Sequence, residues 1–136
     1  MTWDLVEPIA NEMIIEEFES VYHMTLPADY KALVRQYNNG YPSHNIFALP
    51  DGELCRMDHL YSFNRDDPEN MWDFNTADNL DAGFVAFATD DFGNQLAFRM
   101  EDQSVVFADY DAGQLWEIAP DFQTFLAQLR CADTDA

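Results

Sequence analysis

Between Phe84 and Ile118 the apolar residues recur with a period of two, and that rhythm restricts the fold more than any other feature of the chain. Phe84-Val85-Ala86-Phe87-Ala88-Thr89, Gln95-Leu96-Ala97-Phe98-Arg99-Met100 and Ser104-Val105-Val106-Phe107-Ala108-Asp109 each read as strands. Their short polar connections, Asp90-Asp91-Phe92-Gly93-Asn94 and Glu101-Asp102-Gln103, are those of hairpins, so the strands form an antiparallel meander. A fourth short strand, Leu115-Trp116-Glu117-Ile118, follows the turn Asp111-Ala112-Gly113. Earlier strands are expected at Ile46-Phe47-Ala48-Leu49 and within Leu54 to Phe63.

On either side of the sheet the period lengthens. Ile9, Met13, Ile14, Phe18 and Val21 or Tyr22 form an apolar stripe from about Ile9 to His23, beside Glu12, Glu16, Glu17 and Glu19 on a face expected to be solvated. A second helix begins at Pro27, carries Tyr30, Leu33, Val34 and Tyr37 at helical spacing, and stops at Asn38-Asn39-Gly40, where Asn or Gly can take a left-handed cap. A third spans Pro120 to Arg130, with Phe122, Phe125, Leu126 and Leu129 on one face. N-terminal helices, a mainly antiparallel β-sheet meander and a C-terminal helix make an α+β fold. With no repeat and no linker, residues 1–136 are expected to form one domain, ending in a loose tail over 131–136.

The chain carries 26 Asp and Glu against 6 Lys and Arg, a formal net charge of −20. Disorder does not account for this, because 48% of the residues are hydrophobic and 15% aromatic. Such a surface repels nucleic acid and anionic membrane and attracts a basic protein. Met1-Thr2-Trp3-Asp4-Leu5-Val6-Glu7-Pro8 shows no basic segment followed by an apolar stretch, and no transmembrane span is visible. Cys55 and Cys131 lie too far apart to suggest a disulfide framework. A cytoplasmic monomer with free thiols is the expectation.

Ile15-Glu16-Glu17-Phe18-Glu19, then Leu26-Pro27-Ala28-Asp29-Tyr30-Lys31-Ala32-Leu33, then Asn38-Asn39-Gly40 resembles the opening of the SUKH superfamily, the Smi/Knr-type domains. Phe87 to Phe98 resembles that family's strand, Gly-containing turn and strand, Val105 to Tyr110 its next strand, and Ile118 to Leu126 its closing helix. The likeness covers about Ile15 to Leu129 and rests on packing and turn motifs. Where the family's opening helix ends near a Gly this chain has Tyr22-His23-Met24-Thr25, and Tyr41 replaces a second Gly. Cys55 to Ala82 matches no part of the pattern. The resemblance implies a non-enzymatic bacterial immunity protein that binds and blocks a cognate toxin, and the charge agrees, since toxins acting on nucleic acid are basic. A Smi/Knr-type regulatory or scaffold module is the alternative; a nucleic-acid mimic that sequesters a DNA-binding protein is another.

Nine acids fall between Asp51 and Asp81, against Arg56 and Arg65 alone. Within that stretch Asp66, Asp67, Glu69 and Asp73 surround Trp72, and Asp78 follows; an aromatic ringed by carboxylates is a protein-binding pattern, while the alternative for Trp72 and Phe74 is ordinary core. Asp90 and Asp91, at a hairpin tip, and Tyr41 are further toxin-binding candidates. The tip lacks the twelve-residue calcium pattern and reads as a turn. His23, His44 and His59 are scattered, Cys55 and His59 stand as a lone pair, and no hydrolase, kinase or dehydrogenase motif is present, so no catalytic residue, metal or cofactor is expected.

Overall fold

The computed structural model describes residues 1–131; apart from Cys131, the expected loose tail lies outside the described residues. The chain runs β1 (Trp3–Asp4), α1 (Ile14–Tyr22), α2 (Ala28–Tyr37), β2 (Tyr41–Pro42), β3 (Ile46–Ala48), β4 (Leu54–Arg56), β5 (His59–Leu60), α3 (Ala77–Asp81), β6 (Phe84–Thr89), β7 (Gln95–Arg99), β8 (Ser104–Asp109), β9 (Gln114–Ala119) and α4 (Phe122–Gln128). Strands β5 to β9 form an antiparallel sheet in sequence order, and β1–β2 and β3–β4 are small antiparallel pairs, so the fold is the expected α+β meander.

Period two decides which side of each central strand is buried against helices. Val85, Phe87, Leu96, Phe98, Val105 and Phe107 meet Tyr30 and Val34 of α2 and Phe122 and Phe125 of α4 in one core. Phe87 and Phe98 stack at 4.4 Å, and the Tyr30 ring meets Phe98 at 5.0 Å and Phe122 at 5.4 Å, both edge-on. The opposite face carries Phe84, Ala86, Gln95, Ala97, Arg99, Val106, Ala108, Leu115 and Glu117, set side by side by the pairings Ala86↔Ala97, Ala97↔Val106 and Ala108↔Leu115.

The helices begin later than periodicity predicts, and before α1 the cause is capture of the backbone by Asn38, Asn64 and Asn11. The Glu7 N–H donates to the Asn38 carbonyl (2.9 Å) and the Ala10 N–H to Asn64 Oδ1 (2.8 Å), while Asn11 Oδ1 accepts the Met13 N–H (2.9 Å). Residues 7–13 are thereby held as a strap, and α1 starts at Ile14 instead of Ile9. Pro27, expected as the first helical residue of α2, is its extended N-cap. Helix α4 starts after Asp121, which accepts the Thr124 N–H, and it ends at Gln128; Arg130 bridges to Ile46 instead of extending the helix.

His23 takes the left-handed C-cap position (φ 54°) after α1, where the resemblance expects a Gly. After α2 the left-handed residue is Asn39 (φ 67°). Gly40 serves a different need, since a Cβ there would stand 2.6 Å from the Tyr37 carbonyl oxygen and 3.0 Å from the Trp3 ring. The acidic face of the first helical stretch is solvated as expected, with Glu12 and Glu17 exposed, and three of its glutamates also hold cations: Glu16 pairs with Arg35, Glu17 with Arg65 (3.1 Å) and the more buried Glu19 with Lys31 (3.1 Å).

Candidate protein-binding face

Residues 62–75 fold through side-chain hydrogen bonds rather than regular structure. Asp67 Oδ2 accepts from Ser62 Oγ (2.6 Å) and Asn64 Nδ2 (3.2 Å), and Asp73 Oδ2 accepts from Asn70 Nδ2 (3.0 Å). These two carboxylates hold the loop, whereas Asp66 is exposed on it and Asp78 is exposed in the first turn of α3, behind the Thr76 cap.

Trp72 is half-buried and turned into the aromatic core. Its ring meets Phe18 edge-on at 5.1 Å, its Nε1 donates to the Phe63 carbonyl (2.9 Å), and the Arg65 guanidinium lies 3.6 Å from its centroid. Phe74 stacks on Tyr61 at 5.2 Å. Trp72→Ala is expected to lower the unfolding free energy by about 3 kcal/mol, at the low end for a core aromatic because one edge reaches solvent. Denaturant melts check this; an unaltered midpoint would remove Trp72 from the core.

The hairpin tips at one end of the sheet gather acids from separate segments. Pairing of Ile46 with Arg56 and of His59 with Thr89 brings the β3–β4 turn and Asp58 to the β6–β7 tip. Asp90 spends its carboxylate on that tip, Oδ1 accepting the N–H of Phe92 and of Asn94 (both 2.8 Å) and Oδ2 accepting from Asn94 Nδ2 (3.0 Å). Asp91 is left outward, 4.0 Å from Arg56. Beside them the Cys55 thiol is pushed up to about 11, first by burial and then by the charges of Glu53, Asp90, Asp109 and Asp51. A hollow of about 160 Å³ lies between Leu54, Asp90, Phe92 and Asp109. Phe92 is 83% exposed and Leu54 52%.

The acid-rich surface continues to Tyr41. The ring of buried His59 stacks on Tyr41 at 4.5 Å, with Nδ1 2.8 Å from Asp58 and Nε2 3.3 Å from Glu69. Burial raises the Tyr41 hydroxyl pKa, and the charges of Asp58 and Glu69 add to the rise. Thus Tyr41, Glu69, Asp90 and Asp91 share one end of the molecule, and Trp72, Asp67 and Asp73 belong to the supporting loop. The sequence read Glu53 and Asp58 only as members of the acid-rich stretch 51–81 and Phe92 only as part of the hairpin tip, and it did not single out Leu54 or Asp109 for this face. An aromatic inside a polar hairpin tip, Phe92, was the available signal.

Asp91 is held above the usual carboxylate range by partial burial first, then by its hydrogen bond with Asp58 and that neighbour's charge, against the opposing pull of Arg56. A folded-state pKa above the unfolded value means the protonated acid favours folding; that stabilisation is present below the unfolded pKa and lost as pH rises through the folded one. Asp91→Asn is therefore expected to raise the melting temperature at neutral pH, with the gain vanishing near about pH 3, where the wild-type acid is itself neutral. Paired melts across that range check the sign.

Among the described residues no helix is long and apolar enough to cross a membrane. No curated protein sequence matches the chain. The SUKH_6 family, described as SMI1-KNR4 cell-wall, matches residues 12–126, from the approach to α1 into α4. That match takes in both the meander and the loop that holds Trp72, and the chain belongs to the SUKH_6 (SMI1-KNR4 cell-wall) family.

Proposed function

We propose that the chain is an immunity protein that binds a basic toxin domain and masks its surface, by occupancy and without catalysis of its own. The observation that carries this reading is the exposed Phe92, with Leu54 beside it, among Asp51, Glu53, Asp90, Asp91 and Asp109. An apolar anchor within carboxylates suits a cationic protein surface, where the ring supplies desolvated area and the acids pair with Lys and Arg. A toxin acting on nucleic acid carries such a surface because it must grip phosphates. Competition for that grip would block the toxin, and steering typically raises association rates by about 10 to 1000-fold. Family membership supports a protein-binding role in general, and the charge supports the sign of the partner.

The test is co-purification of the chain with the toxin domain encoded beside its gene, at low and at physiological salt, together with rescue of cells expressing that domain. A stable complex and restored growth are expected. Failure of both would sink the reading.

A further inference from the structure

Strand β9 ends the five-stranded sheet; it pairs with β8 along one edge, and among the described residues no strand pairs with its other edge. The opposite end of the sheet is blunted, since β5 has two residues. Strand β9 has six, Gln114-Leu115-Trp116-Glu117-Ile118-Ala119, with one charge among them. Leu115 is 50% exposed and Glu117 is exposed; both lie on the sheet face that carries no helical core.

On that face a groove of about 290 Å³ runs between Phe84, Ala86, Ala97, Ala108, Tyr110 and Leu115. Tyr110 is fixed as its wall, because its hydroxyl donates to Gln95 Oε1 (2.6 Å) and accepts from Asn79 Nδ2 (3.3 Å). The volume is at the floor of the roughly 300 to 1000 Å³ usual for small-molecule clefts, and better suits one side chain. Asp109 lines the groove, no Lys or Arg does, and Arg99 on the same face is held by Glu117 (3.2 Å) and Asp102 (3.6 Å).

We infer that β9 is a docking edge for an extended strand of the basic partner, resting on the immunity reading and adding a surface to it. The added strand places an apolar side chain beside Leu115 at the groove and a Lys or Arg two residues along, opposite Glu117, since alternate residues share a face. A second copy of this chain would fit the same edge sterically. Two molecules at −20 each repel one another, so the edge takes a cationic strand.

The direct probe is an acetylated Arg-Leu-Thr-Lys-Val-Lys peptide, whose Leu and first Lys stand two residues apart on one face, compared with Arg-Pro-Pro-Lys-Val-Lys, which keeps the charge but puts a proline on each edge and so cannot pair as a strand. Amide exchange followed by NMR should show about three further protected N–H groups within 114–119 with the first peptide, every second residue, because the others already bond to β8. The proline peptide should give none, and Leu115→Lys with Glu117→Lys should weaken binding of the first at least about tenfold. Equal behaviour of the two peptides, or no binding of either, overturns the docking edge. The toxin domain separates the two ideas. If it binds the unmodified chain without new protection in 114–119, the edge is wrong and the immunity reading stands; if it does not bind at all, that reading is the one that fails.

Discussion

Replacing Asn75 by leucine lowers the unfolding free energy by about 2 to 5 kcal/mol, although the two side chains are close in size. Strand β5 pairs with β6 only at Ala88 and Thr89, and the Tyr61 N–H reaches the Phe87 carbonyl (2.9 Å). Beyond that point the Asn75 amide acts as the next piece of strand. Its Oδ1 accepts the Ala86 N–H (2.7 Å) and its Nδ2 donates to the Ala86 carbonyl (3.0 Å) and to that of Met71 (2.9 Å). Asn75, Ala86 and Met71 are all buried, so leucine strands three backbone groups, each costing about 1 to 3 kcal/mol if left fully unpaired, and burial of the leucine side chain offsets part of the sum. Urea denaturation measures the loss; a change below about 1 kcal/mol would mean that water replaces the amide.

Reversing Glu53, Asp91 and Asp111 to lysine is expected to slow association with the toxin domain about 10 to 100-fold while leaving dissociation nearly unchanged and the melting temperature no lower. All three side chains are exposed, and none of them caps a helix or ties a loop as Asp67, Asp73 and Asp90 do. The control is the same reversal at Asp4, Glu12 and Glu101, which takes the net charge from −20 to −14 equally, at two units per substitution. Stopped-flow rates at two salt concentrations decide between them. Equal slowing by both sets would show that total charge matters and the hairpin end does not.

The meander was legible because it needs only local information. Alternation and Gly or Asp turns placed β6 and β8 at the strands read from sequence, and β7 within one residue. The start of α1 was not legible, since the Glu7 and Ala10 amides are claimed by Asn38 and Asn64, residues 31 and 54 positions away. Helix α3 went unread because five residues are too few to show a period, although the Thr76 cap was there to see. The candidate face was half legible. Asp90 and Asp91 stood out as a tip, but Glu53, Asp58 and Asp109 join them only through strand register. Trp72 was ambiguous because acids beside an aromatic look alike whether the ring points in or out; Phe18 and the Phe63 carbonyl settle its direction.

Helix α1 has one more effect, through the cations it holds. Lys31, Arg35 and Arg65, half of the positive side chains in the chain, are bound to Glu19, Glu16 and Glu17. Those three ion pairs cancel charge at that corner, whereas Arg56 is, among the described residues, the one cation beside Asp51, Glu53, Asp90, Asp91 and Asp109 at the hairpin tips. The molecule is therefore an electric dipole as well as a polyanion. On the proposed reading, a cationic protein drifting past feels a torque as well as a pull, and arrives already turned toward Phe92.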